Sequence, residues 1–258
     1  MKPVSVTAKL RLGDAEVNRV GLGTNRLRDT PANVAFVREA VAPGVSHIDT
    51  AHTYTGGESE ATIGAALSSI PDGYIVATKG GWTAGRPDVL RAEIEESLRR
   101  LRTDNIALYY LHRPDPETPL EDSLAVINKY RDSGKIRHVG LSNVGIDQIE
   151  RARQVVPIAA VQNHYNLAER RHEDVVDYCA EASIVFVPYF PLHGEGGRSL
   201  DEIAERHNAT RAQIALAWLV RRSPTMLPIP GTLSLVHAKE NLVALEIQLS
   251  DAEFQALW

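Results

Sequence analysis

The sequence predicts a (β/α)8 barrel, an α/β fold of eight parallel strands alternating with helices, and three observations carry that expectation. Short, near-continuous apolar runs recur eight times, as strands covered on both faces require. The segments between them place apolar residues at helical spacing. Polar and ionisable residues gather at the C-terminal ends of the runs, the face where this fold collects its chemistry. No linker or low-complexity stretch breaks the pattern, so residues 1–258 are expected to form one domain.

Taken in order, "AKLRLGDAEVNRV" reads as a hairpin across the barrel floor, turning at Gly13-Asp14. The eight expected strands begin with "VGLGT" (20–24), "HIDTA" (47–51), "YIVATK" (74–79) and "IALYYLH" (106–112). They continue with "RHVGLSN" (137–143), "AAVQNHY" (159–165), "IVFVPYF" (184–190) and "MLPIPG" (226–231). Among the helices, "TPANVAFVREAV" starts with Thr30 as cap and Pro31 at the first position. "RPDVLRAEIEESLRRL" carries Leu90, Ile94, Leu98 and Leu101 on one face, and "PLEDSLAVINKYRDSGK" stops at Gly134. "GIDQIERARQV", "RHEDVVDYCAEA", "SLDEIAERHN" with "TRAQIALAWLVRR", and "SLVHAKENLVAL" complete the expected helices.

Composition narrows the classes of function. The chain is 43% hydrophobic and 24% charged, with net charge −5 and no basic block, so neither a nucleic-acid nor an anionic-membrane surface is expected. The one cysteine, Cys179, falls on the buried side of an amphipathic helix; it excludes a disulfide within the chain and fits a reducing compartment. The stretch "MKPVSVTAKLRLGDAEV" lacks the apolar core of a signal peptide, and no run is long enough to span a bilayer. A cytoplasmic protein is expected.

The strand ends carry the chemistry. Strand one gives Thr24 and Asn25; strand two gives Asp49, with Tyr54 in the loop beyond; strand three gives Lys79; strand four gives His112. Strand five gives Ser142 and Asn143, strand six Gln162, strand seven Tyr189, and strand eight runs into Gly231 and Thr232. Buried Asp, Lys and His cost free energy unless paired, and a purely structural barrel has no need of them on consecutive strands. Asp49 and Lys79 can pair. An ammonium beside a phenol favours the phenolate, so Tyr54 is expected to have a depressed pKa and to donate a proton near neutral pH. His112 is expected to orient a substrate oxygen or relay the proton. No nucleophile is evident. His47 and His52, five residues apart around Asp49, do not make a convincing zinc pair, and no metal is expected. An acid aimed at an oxygen suits carbonyl reduction by hydride, which requires a cofactor.

These residues carry a resemblance. "GLGT", "DTAHTYTGGESE", "ATKGG", "LYYLHRPD", "GKIRHVGLSN", "VQNHYN" and "IPGT…ENL", in order and each at a strand end, make the chain similar to the aldo-keto reductases over essentially its whole length. The resemblance implies a catalytic tetrad of Asp49, Tyr54, Lys79 and His112. It also implies a nicotinamide cofactor across the barrel mouth. Ser142, Asn143 and Gln162 would hold the carboxamide, Tyr189 would stack on the nicotinamide, and Phe190, Pro191 and Leu192 would line the diphosphate. Gly231, Thr232, Leu233, His237, Glu240 and Asn241 would hold the adenosine end, partly through a helix N-terminus. Gly23, Thr24, Asn25 and Asp49 complete the expected cofactor contacts.

Departures from the family pattern are equally specific. Thr55 stands where many members have glycine after the tyrosine, and is expected to reshape the loop without moving the phenol. Arg113 stands where many have tryptophan, so a cation replaces a flat pocket wall and hints at an anionic or polar substrate; Trp82 is the candidate replacement wall. The loop "HGEGGRS" (193–199) is short, so cofactor exchange is expected to be comparatively unhindered. Trp258 closely follows the helix-like "SDAEFQAL", without the tail that closes the substrate pocket in many members, so the pocket is expected to be left open or finished by other loops. Gly231 and His237 replace the lysine and arginine with which the family often reads the 2′-phosphate, so NADPH is expected as cofactor with NADH also usable. The expected protein is a monomeric reductase of small carbonyl compounds. The competing reading is a nucleotide-sensing regulatory protein of the same fold with little turnover.

Overall fold

The computed structural model describes residues 8–42, 44–67, 73–194 and 197–258. The chain forms a (β/α)8 barrel whose floor is closed by a hairpin. Strands β1 (Lys9–Leu12) and β2 (Ala15–Asn18) pair antiparallel, with Leu12 opposite Ala15 and the turn at Gly13 and Asp14. Gly13 sits at φ +61°, and a Cβ there would lie 2.2 Å from the His138 ring, so both conformation and space demand glycine. Leu12 and Val17 are fully buried and plug the lower end of the barrel against Ile75 and Leu108. The expectation of a hairpin across the floor holds. Residues 1–7, the start of the stretch that lacks a signal-peptide core, lie outside the described residues.

Seven strands form one parallel sheet in chain order: β3 (Leu22–Gly23), β4 (His47–Asp49), β5 (Ile75–Gly80), β6 (Ile106–Leu111), β7 (Ile136–Ser142), β8 (Ile158–Gln162) and β9 (Val185–Phe186). The eighth expected strand, 226–231, is not a regular ladder, and the reason is its prolines. Gly21 and Gly23 donate their amides to the carbonyls of Pro228 and Pro230, at 2.9 and 3.1 Å. The return bond to Gly21 is impossible, because its donor would be Pro230, which has no N–H to give. On the other side, the Leu227 amide donates to Phe186 O at 2.9 Å and the Phe186 amide to Thr225 O at 2.9 Å. The segment therefore closes the barrel with half of a ladder towards β3, and only isolated bridges, Gly23 to Gly231 and Phe186 to Met226, mark the seam. The first, second and seventh strands are shorter than their apolar runs.

Alternation along each strand separates two cores. Ile75 and Ala77 of β5, Leu108 and Tyr110 of β6 and Ala160 of β8 fill the barrel interior with Val187, Leu227 and Ile229. Their neighbours Val76, Tyr109, Leu111 and Val161 face the helical layer. By this period of two, Asp49, Lys79, His112, Ser142 and Gln162 fall in the inward register at the upper ends of their strands. Gly140 opens room inside the barrel: a Cβ there would meet the Tyr110 ring at 2.4 Å.

The helical layer comprises α1 (Pro31–Val41), α2 (Glu58–Leu67), α3 (Pro87–Leu101), α4 (Leu120–Asp132) and α5 (Ile146–Arg153). It continues with α6 (Glu173–Glu181), α7 (Gly197–Arg206), α8 (Arg211–Arg222), α9 (Leu235–Val243) and α10 (Asp251–Ala256). Thr30 caps α1 through a bond from the Asn33 amide, with Pro31 at its first position, as the sequence predicts. Cys179 is fully buried in α6, and burial pushes its thiol up to about 12, which suits a packing role. Among the described residues no helix is long and apolar enough to cross a membrane.

Helix α2 is an element the apolar pattern did not reveal. Its buried face is built from Ser59, Glu60, Thr62 and Gly64 as well as Ile63, Ala66 and Leu67. At Gly64 a Cβ would lie 2.2 Å from the carbonyl oxygen of Arg100, so α2 and the end of α3 approach backbone to backbone. Gly64→Ala should therefore destabilise the fold by about 1–3 kcal/mol through overpacking, although alanine is the better helix former. A urea melt of the variant measures it; a midpoint equal to or above wild type would show that the two helices can separate freely.

Candidate active site

The inward-facing strand ends meet below a cleft of about 710 Å³ at the upper mouth of the barrel. Lys79, fully buried on β5, is the hub. Its Nζ donates to Asp49 Oδ1 on β4 at 2.6 Å, to the Thr50 carbonyl at 2.7 Å and to the Tyr54 hydroxyl at 3.3 Å. The second oxygen of Asp49 accepts from Gln162 Nε2 at 2.8 Å. Asp49 is thereby held from β5 on one side and from β8 on the far side of the barrel.

Tyr54 is placed by an unusual turn, 54–57, that leads into α2. Thr55, Gly56 and Gly57 take φ of 49°, 67° and 94° in succession. The left-handed conformation costs a non-glycine residue about 1–2 kcal/mol, and the Thr55 hydroxyl offsets part of it by donating to Leu27 O at 2.7 Å. Gly57 leaves room for the Arg100 guanidinium, which donates to the His52 carbonyl at 3.1 Å and ties the turn to α3. Ser59, fully buried at the start of α2, bonds Thr24 at 2.9 Å and Thr50 at 2.7 Å and so joins β3, β4 and α2 beneath the site. With Thr55 in place the phenol stays within reach of Lys79.

The electrostatics correct one expectation. Burial raises the Tyr54 pKa above its ordinary value and outweighs Lys79, which pulls it down; Asp49 adds to the rise. The depressed phenol expected from the sequence is replaced by a raised one, because burial outweighs the pull of the ammonium. Burial alone would lower the Lys79 pKa, yet Asp49 and Tyr54 together raise it, so Lys79 is an ammonium throughout the neutral range. Burial, helped by Lys79 and Arg113, lowers His112 to about 3, so its ring is neutral. His112 lies edge-on to Tyr54, ring centres 6.0 Å apart, and its Nδ1 has no protein partner. A neutral imidazole can orient an oxygen but holds no spare proton near neutral pH.

Each element contributes to the cleft lining. From β3 and its turn come Gly23, Thr24 and Asn25, and from β4 and the turn after it Asp49 and Tyr54. The loops after β5 and β6 add Trp82, His112 and Arg113; β7 and β8 add Ser142, Asn143 and Gln162. Tyr189, Phe190, Pro191 and Leu192 follow β9, and Gly231 comes from the seam. Thr232, Leu233, His237, Glu240 and Asn241 do not line this cleft. They lie on the turn before α9 and on that helix, where Glu240 borders a separate open depression with Thr210 and Gln213. Glu195 and Gly196, inside the short 193–199 loop, are outside the described residues. Beyond Gly231 no described residue lines the cleft; Trp258 packs instead against Trp218 and Arg170.

Four lining residues escaped the sequence reading: Arg26, His193, Ile229 and Pro230. Each stands one or two positions beside a residue that was read, so proximity to a strand end was the available signal. The structure also shows how the expected cofactor groups are preset. Asn143, at φ +61°, donates from Nδ2 to the His112 carbonyl at 3.0 Å and accepts the Tyr189 hydroxyl on Oδ1 at 2.8 Å. Tyr189 stacks on His164, centres 5.2 Å apart and 11° from parallel.

Comparison with known proteins places this geometry. The profile of the Aldo/keto reductase family matches residues 19–199 and 195–257. The chain belongs to that family. An uncharacterised oxidoreductase of Schizosaccharomyces pombe is 38% identical across 98% of this chain and 90% of its own length. The pyridoxine 4-dehydrogenase of Escherichia coli is 35% identical across 95% and 96%. Among solved structures, a thermostable aldo-keto reductase in complex with the inhibitor epalrestat superposes with TM-score 0.91 at 34% identity, covering 97% of this chain and 98% of the other. A Klebsiella pneumoniae aldo/keto reductase in complex with NADP and acetate superposes with TM-score 0.88 at 31% identity, covering 98% and 94%. The chain is thus an aldo-keto reductase in sequence and in fold, and an oxidoreductase by family.

Proposed function

We propose that this aldo-keto reductase uses NADPH to reduce a small aldehyde or ketone to the alcohol, with Tyr54 as proton donor. The observation that carries the reading is the Lys79 ammonium bonded at once to Asp49 and to the Tyr54 hydroxyl at the base of the cleft. A phenol oxygen that accepts from Lys79 directs its own O–H elsewhere, and the cleft is the open side. As the proton leaves, the phenolate gains from the fixed ammonium more than the phenol did, so the interaction strengthens towards the transition state. His112, neutral, positions the carbonyl oxygen. Asp49 and Gln162 keep Lys79 from wandering.

The residues present fit a nicotinamide dinucleotide. Gln162 spends its Nε2 on Asp49, which leaves its amide oxygen to accept from a carboxamide, and Ser142 and Asn143 stand beside it. Tyr189 is backed by His164 on one face and lines the cleft. When bound, the cofactor supplies the hydride. The structural relative from Klebsiella was solved with NADP, which supports the same class of cofactor here. NADPH oxidation with 4-nitrobenzaldehyde tests the reading; no turnover, with NADPH bound, would overturn it in favour of a nucleotide sensor.

Cofactor preference follows from the α9 end. The Thr232 hydroxyl already accepts from the Ser234 amide at 3.0 Å, and the Ser234 hydroxyl accepts from the His237 amide at 3.4 Å. The helix start expected to favour a phosphate is therefore partly self-capped, and the amides of Leu235 and Val236 remain. With Gly231 and His237 in place of two cations, one or two charged hydrogen bonds are missing, worth about ten- to a hundredfold or more in affinity. A modest NADPH preference with measurable NADH use is expected. Gly231 tolerates a side chain, since a Cβ would meet only Asn25 Oδ1 and Gly23 O at 3.5 Å. Gly231→Lys with His237→Arg should tighten NADPH and leave NADH nearly alone. Equal tightening of both in fluorescence titrations would place the phosphate elsewhere.

A further inference from the structure

One end of the cleft is marked by a cation that the proton-transfer machinery does not use. Arg113, exposed at the mouth, donates from Nε to the Trp82 carbonyl at 2.7 Å. Its guanidinium carbon stands 4.8 Å from the Trp82 ring centre. The two contacts fix the plane of the guanidinium and leave its Nη groups without a hydrogen bond or ion pair among the described residues. The carboxylate that feels its charge, Asp115, is otherwise engaged: it accepts from the Gly85 and Glu117 amides and from the Thr118 hydroxyl, at 2.7, 3.0 and 2.8 Å. An arginine held by its Nε and by a ring face, with its outer donors free, is preset for a carboxylate or phosphate.

The charge of the whole cleft points the same way. The protein carries a net charge of −5. Yet among its described lining residues the cleft has two guanidinium groups, Arg26 and Arg113, and a single carboxylate, Asp49. Asp49 is neutralised by Lys79 at 2.6 Å, so no free negative charge faces a ligand there. Among its described ionisable lining residues this opening thus carries the sign opposite to that of the chain as a whole.

Position then limits the shape of the anion. Tyr54 and Arg113 are linked through three successive ring contacts and make no contact with each other among the described residues. His112 is 6.0 Å from Tyr54, Trp82 is 4.7 Å from His112, and the guanidinium is 4.8 Å from Trp82, all centre to centre. An α-keto acid, whose carboxylate adjoins the carbonyl, would sit against His112 and leave Arg113 unused. A substrate that uses both ends carries its anion several bonds from the carbonyl and offers Trp82 a flat or apolar body.

We propose that Arg113, held by Trp82, is a specificity residue that selects carbonyl substrates bearing a carboxylate or phosphate set apart from the carbonyl by a flat body. The inference rests on the reductase reading, and the test separates the two. Wild type, Arg113→Met and Arg113→Lys are assayed with NADPH on 4-carboxybenzaldehyde against its neutral methyl ester, and on 4-formylphenyl phosphate against 4-methoxybenzaldehyde. Intrinsic reactivity cancels when each charged-to-neutral ratio of kcat/KM is compared between variants. In Arg113→Met the ratio should fall about ten- to a hundredfold, mainly through KM, while Arg113→Lys retains part of it. A fall in the carboxylate ratio alone assigns a carboxylate ligand, and a fall in the phosphate ratio alone a phosphate ligand. Turnover of the neutral aldehydes with both ratios unchanged in Arg113→Met overturns the inference and leaves the reductase reading standing. Absence of turnover on every aldehyde overturns the reductase reading itself.

Discussion

Tyr54→Phe is expected to lower turnover of an aromatic aldehyde by about a hundredfold or more, the scale of positioned acid catalysis. The substitution removes one oxygen and leaves the ring, which contacts His112 edge-on and lies 4.8 Å from Lys79 Nζ. NADPH affinity, followed by quenching of tryptophan fluorescence with Trp82 in the cleft, should barely change. Near-normal turnover would remove Tyr54 from the chemistry. The wild-type pH profile offers a second check. Because burial raises the phenol above its ordinary 10.0, the acid form persists through neutral pH, and kcat/KM for reduction should stay flat from about pH 6 to 9. A limb near pH 7–8 would restore the depressed phenol that the sequence suggested.

Lys79→Met should abolish reduction and also weaken the fold. Its ammonium is fully buried, and its loss strands the Asp49 carboxylate beside Gln162 alone. Breaking a buried pair from one side costs about 3–5 kcal/mol. Asp49→Asn added to Lys79→Met removes the stranded charge and should recover much of the stability, with no recovery of activity. That split distinguishes a lysine that tunes a proton donor from one that only holds the barrel together. The linkage has a definite sign. The folded pKa of Lys79 lies above the ordinary 10.5, so its contribution is fully present below about pH 10.5 and is lost as pH rises through the higher folded value. Urea midpoints taken across that alkaline window should fall more steeply for wild type than for the double variant.

Much of the site was legible because barrel geometry converts sequence position into location. Asp49, Lys79, His112 and Gln162 each end an apolar run, and a period of two turns all of them inward. What escaped the sequence depended on packing between distant segments. Helix α2 hides its buried face among Ser59, Glu60 and Thr62, which a hydrophobic pattern reads as solvated. The partners of Ser59 and Glu60, namely Thr24, Thr50 and Thr78, lie just past β3, just past β4 and on β5. The direction of the Tyr54 shift depends on how much water the surrounding rings exclude, and no spacing rule reports that. The α9 start looked open to a phosphate because Thr232 and Ser234 are good acceptors; the same property lets them cap their own helix.

The proline seam has a consequence for how the chain behaves when the barrel is open. Closure by 226–231 is what covers the edges of β3 and β9, and uncovered edges are templates for association between chains. Were this segment to lift away, its own β3-facing edge would present carbonyls at Pro228 and Pro230 but no N–H beside them. An incoming strand could give hydrogen bonds there and receive none back, so growth of an intermolecular sheet along that edge stalls at its first step. The prolines that make the eighth strand irregular thus make its own edge a poor seed for association, at the cost of a thinner seam in the closed barrel.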